Sequence, residues 1–317
     1  MLPFSGSIAG VCFLVGAVMG LCAGSSPVDA PFLFGRDDGS NSGQKGMTNQ
    51  GGLPVGLYFK SLRSGSGGNC LTLWTGKTRL LFDCGLSPQW WCEDVLWHHV
   101  DPADIDALIV SHAHGDHINY AALRVMENYG VPVRCHKTIR RAIQSKGGGG
   151  GLRCFSDRPF RVGEFKIQPF PLPHGDTKNY GFAVTCRQGK QKRKVVVATD
   201  LTWGEVAYFT DADFIFVEAN HDPELRKRVE AKKGWRNANS RNHFSNAKAG
   251  SLLHYAARRS RFAPKAVMLG HLSGDYNTAA LAKNTVMQIF RDKGHRFEAK
   301  LYVASQDKAT RKVTISG

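Results

Sequence analysis

Four metal-competent side chains stand within six residues in Ser111-His112-Ala113-His114-Gly115-Asp116-His117, directly behind the apolar run Asp106 to Val110. Nothing else in the chain constrains its fold as strongly. A turn leaving a strand cannot bury three imidazoles and a carboxylate in an apolar core without partners. Neutral imidazole and carboxylate are the ligands that a divalent first-row metal prefers. The spacing H-x-H-x-D-H sends His112 and His114 in one direction and leaves Asp116 and His117 for a second ion. The bland alternative is a polar surface turn that happens to be rich in histidine.

Three further donors close apolar runs: His174 after FKIQPFPLP, Asp200 at the end of KVVVATD, and His271 after KAVMLG. Strand ends are where α/β proteins collect their chemistry. Singly, each has an ordinary explanation, a hydrogen-bonded histidine or a turn-forming aspartate. Together with the first motif they form one ordered series.

Period-two runs predict strands at 56–62, 69–75 and 78–85, in an antiparallel meander, and at 106–110, 165–173, 180–187, 194–200, 213–219 and 265–270. Helical patterns fall at 121–129, 138–146, 224–233, 246–260 and 277–293, with Ser245 as N-cap of the fourth. The five glycines 147–151 predict a loop tip. The fold class is therefore α/β, two mixed sheets with outer helices in one catalytic domain, residues 47–317.

Residues 1–46 differ. Ile8 to Gly24 is apolar and small, and a Gly/Ser/Asp-rich stretch follows. A secretory leader cut near Val28-Asp29-Ala30 is one reading, although the segment before it carries no Lys or Arg. A lipoprotein signal at Cys22 would need a small residue where Leu21 stands. The preferred reading is a disposable leader or an upstream extension ahead of a true start at Met47, in a cytoplasmic protein with no stable membrane partner. A chain beginning at Met47 is expected to keep full activity, and an inactive or unfolded truncation would assign residues 1–46 to the working protein.

The charge lies elsewhere. The chain carries 42 Lys+Arg against 26 Asp+Glu, a net +16, and the body after residue 46 holds 40 of those cations against 23 acids. Such a balance favours a polyanionic partner, though some proteins are merely basic. Basic runs occur at Arg187–Lys194, along 224–236 with Trp235 among them, and at Arg258, Arg259 and Arg261. Charge runs are often only solvated faces, but these suit phosphate contact. Trp235 could stack a base or simply pack. Eight cysteines form no C-x-x-C pair, which predicts reduced, partly buried thiols.

In order, SHAHGDH, PLPHGD, VATDL and MLGHLS resemble the ligand motifs of the metallo-β-lactamase superfamily, across nearly the whole body from Gly56 onward. The resemblance implies an αββα sandwich with a dinuclear site between the sheets. It implies one ion on His112, His114 and His174, a second on Asp116, His117 and His271, and Asp200 bridging both. SLRSGSGGNCLTL, VEANHDPEL and GHLSGDYN resemble segments of the YycJ-type exonuclease branch, which is related to tRNase Z. Phe244 and Gly274-Asp275-Tyr276 depart from that pattern, which bears on substrate and polarity rather than on the metal donors.

Function follows as an expectation. Two Zn²⁺ or Mn²⁺ ions, both compatible with all-N/O ligation, would bracket a hydroxide that attacks phosphorus in line. Asp116 and Asp200 would orient it. The resemblance makes His243, ahead of a helix, the general acid for the leaving sugar oxygen; a histidine that only caps that helix is the alternative. Ser66, Asn69, Asn220 and His221 are candidate substrate contacts, though a plain Gly-rich turn and a buried structural histidine explain the same residues. Glu218 and Asn220 could hold ligands from behind. His98, His99, His136, His254 and His295 are read as structural. The expected activity is a phosphodiesterase on nucleic acid, a DNA exonuclease, with DNA favoured over RNA. A small-molecule hydrolase (thioesterase, lactonase or cyclic phosphodiesterase) is the rival enzyme class, and a binding module that keeps only the fold is the non-enzymatic one.

Overall fold

The computed structural model describes residues 56–147, 151–234 and 242–315. The leader, the Gly148–Gly150 part of the glycine run, Trp235 and Arg236 lie outside the described residues.

Two seven-stranded sheets face each other. The first holds β1 (Tyr58–Arg63), β2 (Cys70–Trp74), β3 (Arg79–Cys84), β4 (Ala107–Val110), β5 (Val133–His136), β6 (Leu152–Phe155) and β14 (Val313–Thr314), in the order β14-β1-β2-β3-β4-β5-β6. The second holds β7 (Phe160–Val162), β8 (Phe165–His174), β9 (Thr177–Gln188), β10 (Gln191–Ala198), β11 (Phe214–Glu218), β12 (Ala266–Gly270) and β13 (Lys300–Val303), in the order β13-β12-β11-β10-β9-β8-β7. Each is mixed: β1, β2 and β3 pair antiparallel and β3, β4, β5 and β6 parallel, while β7 to β10 are antiparallel and β10 to β13 parallel.

Alternation along the strands separates three cores. Leu80, Phe82, Phe214, Phe216 and Met268 point into the space between the sheets, where Phe59 and Phe182 join them. Their neighbours Leu81, Leu108 and Val110 face outward under α1 (Gln89–Trp97) and α2 (Tyr120–Asn128). Ile215, Val217, Val267 and Leu269 face the other way, under α6 (Asn246–Arg259) and α7 (Ala279–Asp292). The period of two in the sequence thus becomes an αββα sandwich, as the resemblance implied. Helices α3 (Arg140–Gln144), α4 (Val206–Phe209) and α5 (Pro223–Lys233) complete the fold.

The predicted strands all form, and Ser245 caps α6 by accepting from the Lys248 amide. The helix expected over 138–146 is instead a 3-10 turn (Lys137–Ile139) followed by α3. The helix expected from Asn277 starts at Ala279, because Asn277 donates to the Ala219 carbonyl and Thr278 takes the cap. Sequence patterning missed β5, β6, β7, β13 and β14, which are too short to show a period. It also missed α1, whose apolar residues run almost all round: Cys92, Val95 and Leu96 are buried, while Trp90 and Trp97 are exposed. The six described cysteines are free, and only Cys154 is exposed.

One glycine fixes the sheet edge to the histidine loop. A Cβ on Gly85 would lie 1.9 Å from the Asp116 carbonyl carbon and oxygen and 2.5 Å from the His117 nitrogen. Backbone bonds from Asn69 to Asp116 (2.8 Å) and from Cys84 to His117 (2.8 Å) hold these segments in that approach. Gly85→Ala is expected to cost about 1–3 kcal/mol or more by overpacking and to lower the content of the ion nearest Asp116. Thermal unfolding and metal analysis of the variant check both; wild-type values would mean that the loop yields freely.

Candidate metal centre

Strand direction brings the donors together. β4, β10, β11 and β12 each end on the same edge, and β8, antiparallel to β9 as β10 is, ends there too. The His112–His117 turn, His174, Asp200 and His271 therefore emerge at one rim between the sheets. Asp83, Asp200 and His271 hold φ of 57°, 55° and 53°. This left-handed backbone costs on the order of 1–3 kcal/mol per non-glycine residue, and such strain gathers at functional sites. It turns each side chain back toward the rim.

The expected donors fall into overlapping sets. Donor atoms of His112, His114 and His174 lie within 4.8 Å of one another, as do those of Asp116, His117 and His271. A third set, His112, His117 and Asp200, joins the first two. His114 Nδ1 faces His174 Nε2 at 3.3 Å, and His117 Nε2 stands 2.7 Å from Asp200 and 3.4 Å from Asp116.

Buried partners hold these rings from behind. The Asp83 carboxylate accepts from His117 Nδ1 (2.8 Å), the Ser111 amide (2.7 Å) and the Ser111 hydroxyl (2.8 Å). Thr177 Oγ1 is 3.0 Å from His114 Nε2, and the Asn242 carbonyl accepts from His174 Nδ1 at 3.0 Å. Glu218, fully buried, accepts from His243 Nδ1 (2.7 Å), His271 Nδ1 (2.9 Å) and the amides of Leu201 (2.9 Å) and Phe244 (3.1 Å). It anchors His243 and His271 at once. Sequence reasoning missed Asp83, Thr177 and the Asn242 carbonyl. Asp83 left one trace: a lone carboxylate in an otherwise apolar strand has to be paired.

Electrostatics fit divalent ions. Burial, then the His117 charge, hold His112 well below the ordinary imidazole range, so its ring is neutral with a lone pair to give. Its Nε2 is buried with no hydrogen-bond partner among the described residues, a state that costs about 1–3 kcal/mol unless a ligand takes the lone pair. Asp116 and Asp200 stay ionised against burial because His117, and His271 for Asp200, lie beside them. Burial lowers His243, but Glu218 and Asp200 outweigh it and push the ring up to about 10. Four carboxylates, Asp83, Asp116, Asp200 and Glu218, crowd six imidazoles, those of His112, His114, His117, His174, His243 and His271. Their charge asks for cations, and all-N/O donation suits first-row divalent metals.

A cavity of about 690 Å³ opens over this rim. His114, Asp116, His174, Asp200 and His271 line it with His243, Ser66 and Asn220, whereas His112 and His117 lie beneath. Two of the expected substrate contacts, Asn69 and His221, do not line this cavity. Asn69 is 2% exposed and outside the lining: its amide donates to the Gly65 (3.2 Å) and Asp116 (3.2 Å) carbonyls, stitching the Ser64–Asn69 loop to the histidine turn. His221, 5% exposed, turns inward, with Arg226 Nη1 3.3 Å from its Nε2, and does not line the cavity either.

Comparison with known proteins agrees with this architecture. Exodeoxyribonuclease WalJ of Streptococcus pneumoniae is 27% identical over 272 residues, 81% of this chain and 97% of the relative. Exodeoxyribonuclease YycJ of Bacillus anthracis is 25% identical over 266 residues, 76% of this chain and 91% of the relative. Among solved structures, the metallo-beta-lactamase fold protein YhfI of Bacillus subtilis superposes with TM-score 0.60 at 18% identity, over 80% of this chain and 98% of that one. Human tRNase Z, short form, does so with TM-score 0.55 at 15% identity, over 80% and 98%. The family profile described as "Beta-lactamase superfamily domain" matches residues 78–271, a stretch that starts beside β3 and ends on His271, so that all seven expected donors fall inside it. With its sheets, rim and donors in that order, the chain belongs to the beta-lactamase superfamily, as a metal-dependent hydrolase of the metallo-β-lactamase fold.

Proposed function

We infer that residues 47–317 form a dinuclear metal-dependent phosphodiesterase that acts on nucleic acid, as a DNA exonuclease. The observation that carries this reading is that the set His112, His117 and Asp200 joins the sets His112, His114, His174 and Asp116, His117, His271, with His243 pinned beside Asp200 in the cavity. His112, His114 and His174 would hold one ion, Asp116, His117 and His271 the other, and Asp200 both. Bound divalent ions, Zn²⁺ or Mn²⁺, supply Lewis acidity that lowers the pKa of water and neutralises charge on a phosphate. Asp116 and Asp200, both ionised, accept hydrogen bonds from the attacking water and orient it. Glu218 takes the His243 Nδ1 proton bond, which leaves Nε2 facing the cavity to protonate the leaving sugar oxygen. The 25–27% identical relatives named exodeoxyribonucleases support nucleic acid as substrate, and the basic surface supports it independently.

Incubating purified protein with labelled single- and double-stranded DNA and RNA, each metal added in turn, tests the reading. Bis(p-nitrophenyl) phosphate and a thioester serve as comparison substrates. Hydrolysis of the thioester with every phosphodiester untouched would overturn it.

The basic runs do not contribute equally. The Arg187–Lys194 hairpin joins β9 to β10 at the end away from the rim, and the eight residues of β10 put about 26 Å between them. Two of its cations also serve the fold: Arg193 pairs with Asp213 at 2.8 Å and Lys194 donates to the Thr210 carbonyl at 2.7 Å. Arg258 and Arg259 end α6, about 20 Å from its capped start beside the rim. Among the basic runs, the one on α5 begins nearest the rim, following Asn220-His221-Asp222, and α5 buries none of its residues. Neutralising its exposed Lys227, Arg228 and Lys232 together is expected to weaken DNA binding and to cut the salt slope by about 2. Neutralising Lys190 and Lys192 is expected to change neither. Salt titrations of the two variants decide; equal losses would put DNA on the hairpin as well.

A further inference from the structure

Beside the metal centre runs a second groove, of about 410 Å³, that the hydrolytic chemistry does not use. It follows one face of α6 from Ala247 to Tyr255, about 12 Å. Its inner end is Thr202 and Phe244, two residues beyond Asp200 and one beyond His243. The Thr202 strand exit is fixed: its amide donates to the Pro173 carbonyl at 2.9 Å, and Lys248 Nζ donates to the Thr202 carbonyl at 3.2 Å. Phe244 is nearly buried and forms the floor with Leu252. Two large aromatics stand open on the walls, Trp203 at 61% exposure and Tyr255 at 45%. Exposed rings of that size on a rigid frame forfeit apolar burial unless something flat covers them.

Charge says what covers them. No lining residue is acidic, and Lys248 is the charged one among them. At the outer end Arg259 and Lys293 lie over the Tyr255 ring, 5.9 and 5.4 Å from its centroid. Aromatic platforms between cations are how single-stranded nucleic acid is held without reading its sequence. A length of 12 Å matches roughly three stacked nucleotides at about 3.4 Å each. We propose that this groove is a stacking subsite for unpaired DNA bases, with Trp203 and Tyr255 as the platforms, and that it delivers a single-stranded end to the metal centre. The assignment rests on the nucleic-acid reading above and adds to it a preference for unpaired over duplex ends.

The test is equilibrium binding of a fluorescein-labelled phosphorothioate oligo(dT), which resists cutting, to the full metal-loaded chain. Trp203→Ala and Tyr255→Ala are each expected to weaken binding about 10-fold, with melting temperatures unchanged, and Trp203→Phe to retain most of the affinity. An abasic oligonucleotide of the same length should bind wild type as weakly as the alanine variants do, and should not distinguish among them. Oligo(dT) binding that is indifferent to both substitutions overturns the groove alone and leaves the nuclease reading standing. Failure of the wild type to bind any oligonucleotide overturns both. If both substitutions weaken oligo(U) binding and leave oligo(dT) binding intact, the groove holds RNA and the assignment to DNA is overturned.

Discussion

His243→Ala is expected to keep both ions and to lose roughly 10²–10⁴-fold in turnover of DNA, the range for removing a general acid. The loss should shrink on a p-nitrophenyl diester, whose leaving group departs without a proton. His271→Ala is expected to do the opposite in metal analysis. Its Nε2 stands 3.5 Å from Asp116, and without it the second ion would keep only Asp116, His117 and the shared Asp200. The contrast is sharp because the two rings are neighbours, 5.1 Å apart, and both lean on Glu218. If His243→Ala loses an ion and His271→Ala does not, the two roles are reversed.

Glu218→Ala is expected to damage fold and activity together. The carboxylate, itself fully buried, accepts from two imidazoles and two backbone amides. Truncation strands those donors, and breaking a buried charged network costs about 3–5 kcal/mol. In a chain of this size that should lower Tm by roughly 10 °C. Glu218→Gln keeps one acceptor oxygen but turns an amide N–H toward a ring that also donates. It should fold better than the alanine variant and still lose most of the His243-dependent rate. Thermal unfolding with turnover on both substrate types checks the pair. Wild-type stability of Glu218→Ala would show that the donors find other acceptors.

Much of the fold was legible because it is local. Leu80, Leu81 and Phe82 alternate between two cores as their spacing requires, and the strands they predict are present. Edge strands such as β7, three residues long, carry too few positions for a period and exist only through their partner. The donor types were legible for the same reason. His112, His114, Asp116 and His117 sit in one turn, and His174, Asp200 and His271 each end a strong apolar run.

Contacts between distant segments were not legible. Asp83 reaches His117 across 34 positions, and the His271 amide reaches the Ser64 hydroxyl across 207. Neither segment alone marks which residue the partner is: the Asp83 carboxylate in its apolar strand shows only that one is needed. The direction in which a loop side chain turns was equally hidden: Asn69 and His221 have the chemistry to touch substrate, but their hydrogen bonds point them into the protein. Strand direction alone decided that the Arg187–Lys194 hairpin lies at the end opposite the rim while α5 starts on it. The sequence by itself determined which side chains could bind metal and that they would stand at strand ends, since both follow from residue type and short-range period. Only the tertiary structure decided which of them share a cavity, which carboxylate holds each ring, and where open aromatics border the centre, because those depend on how the two sheets pack and not on any neighbour in the chain.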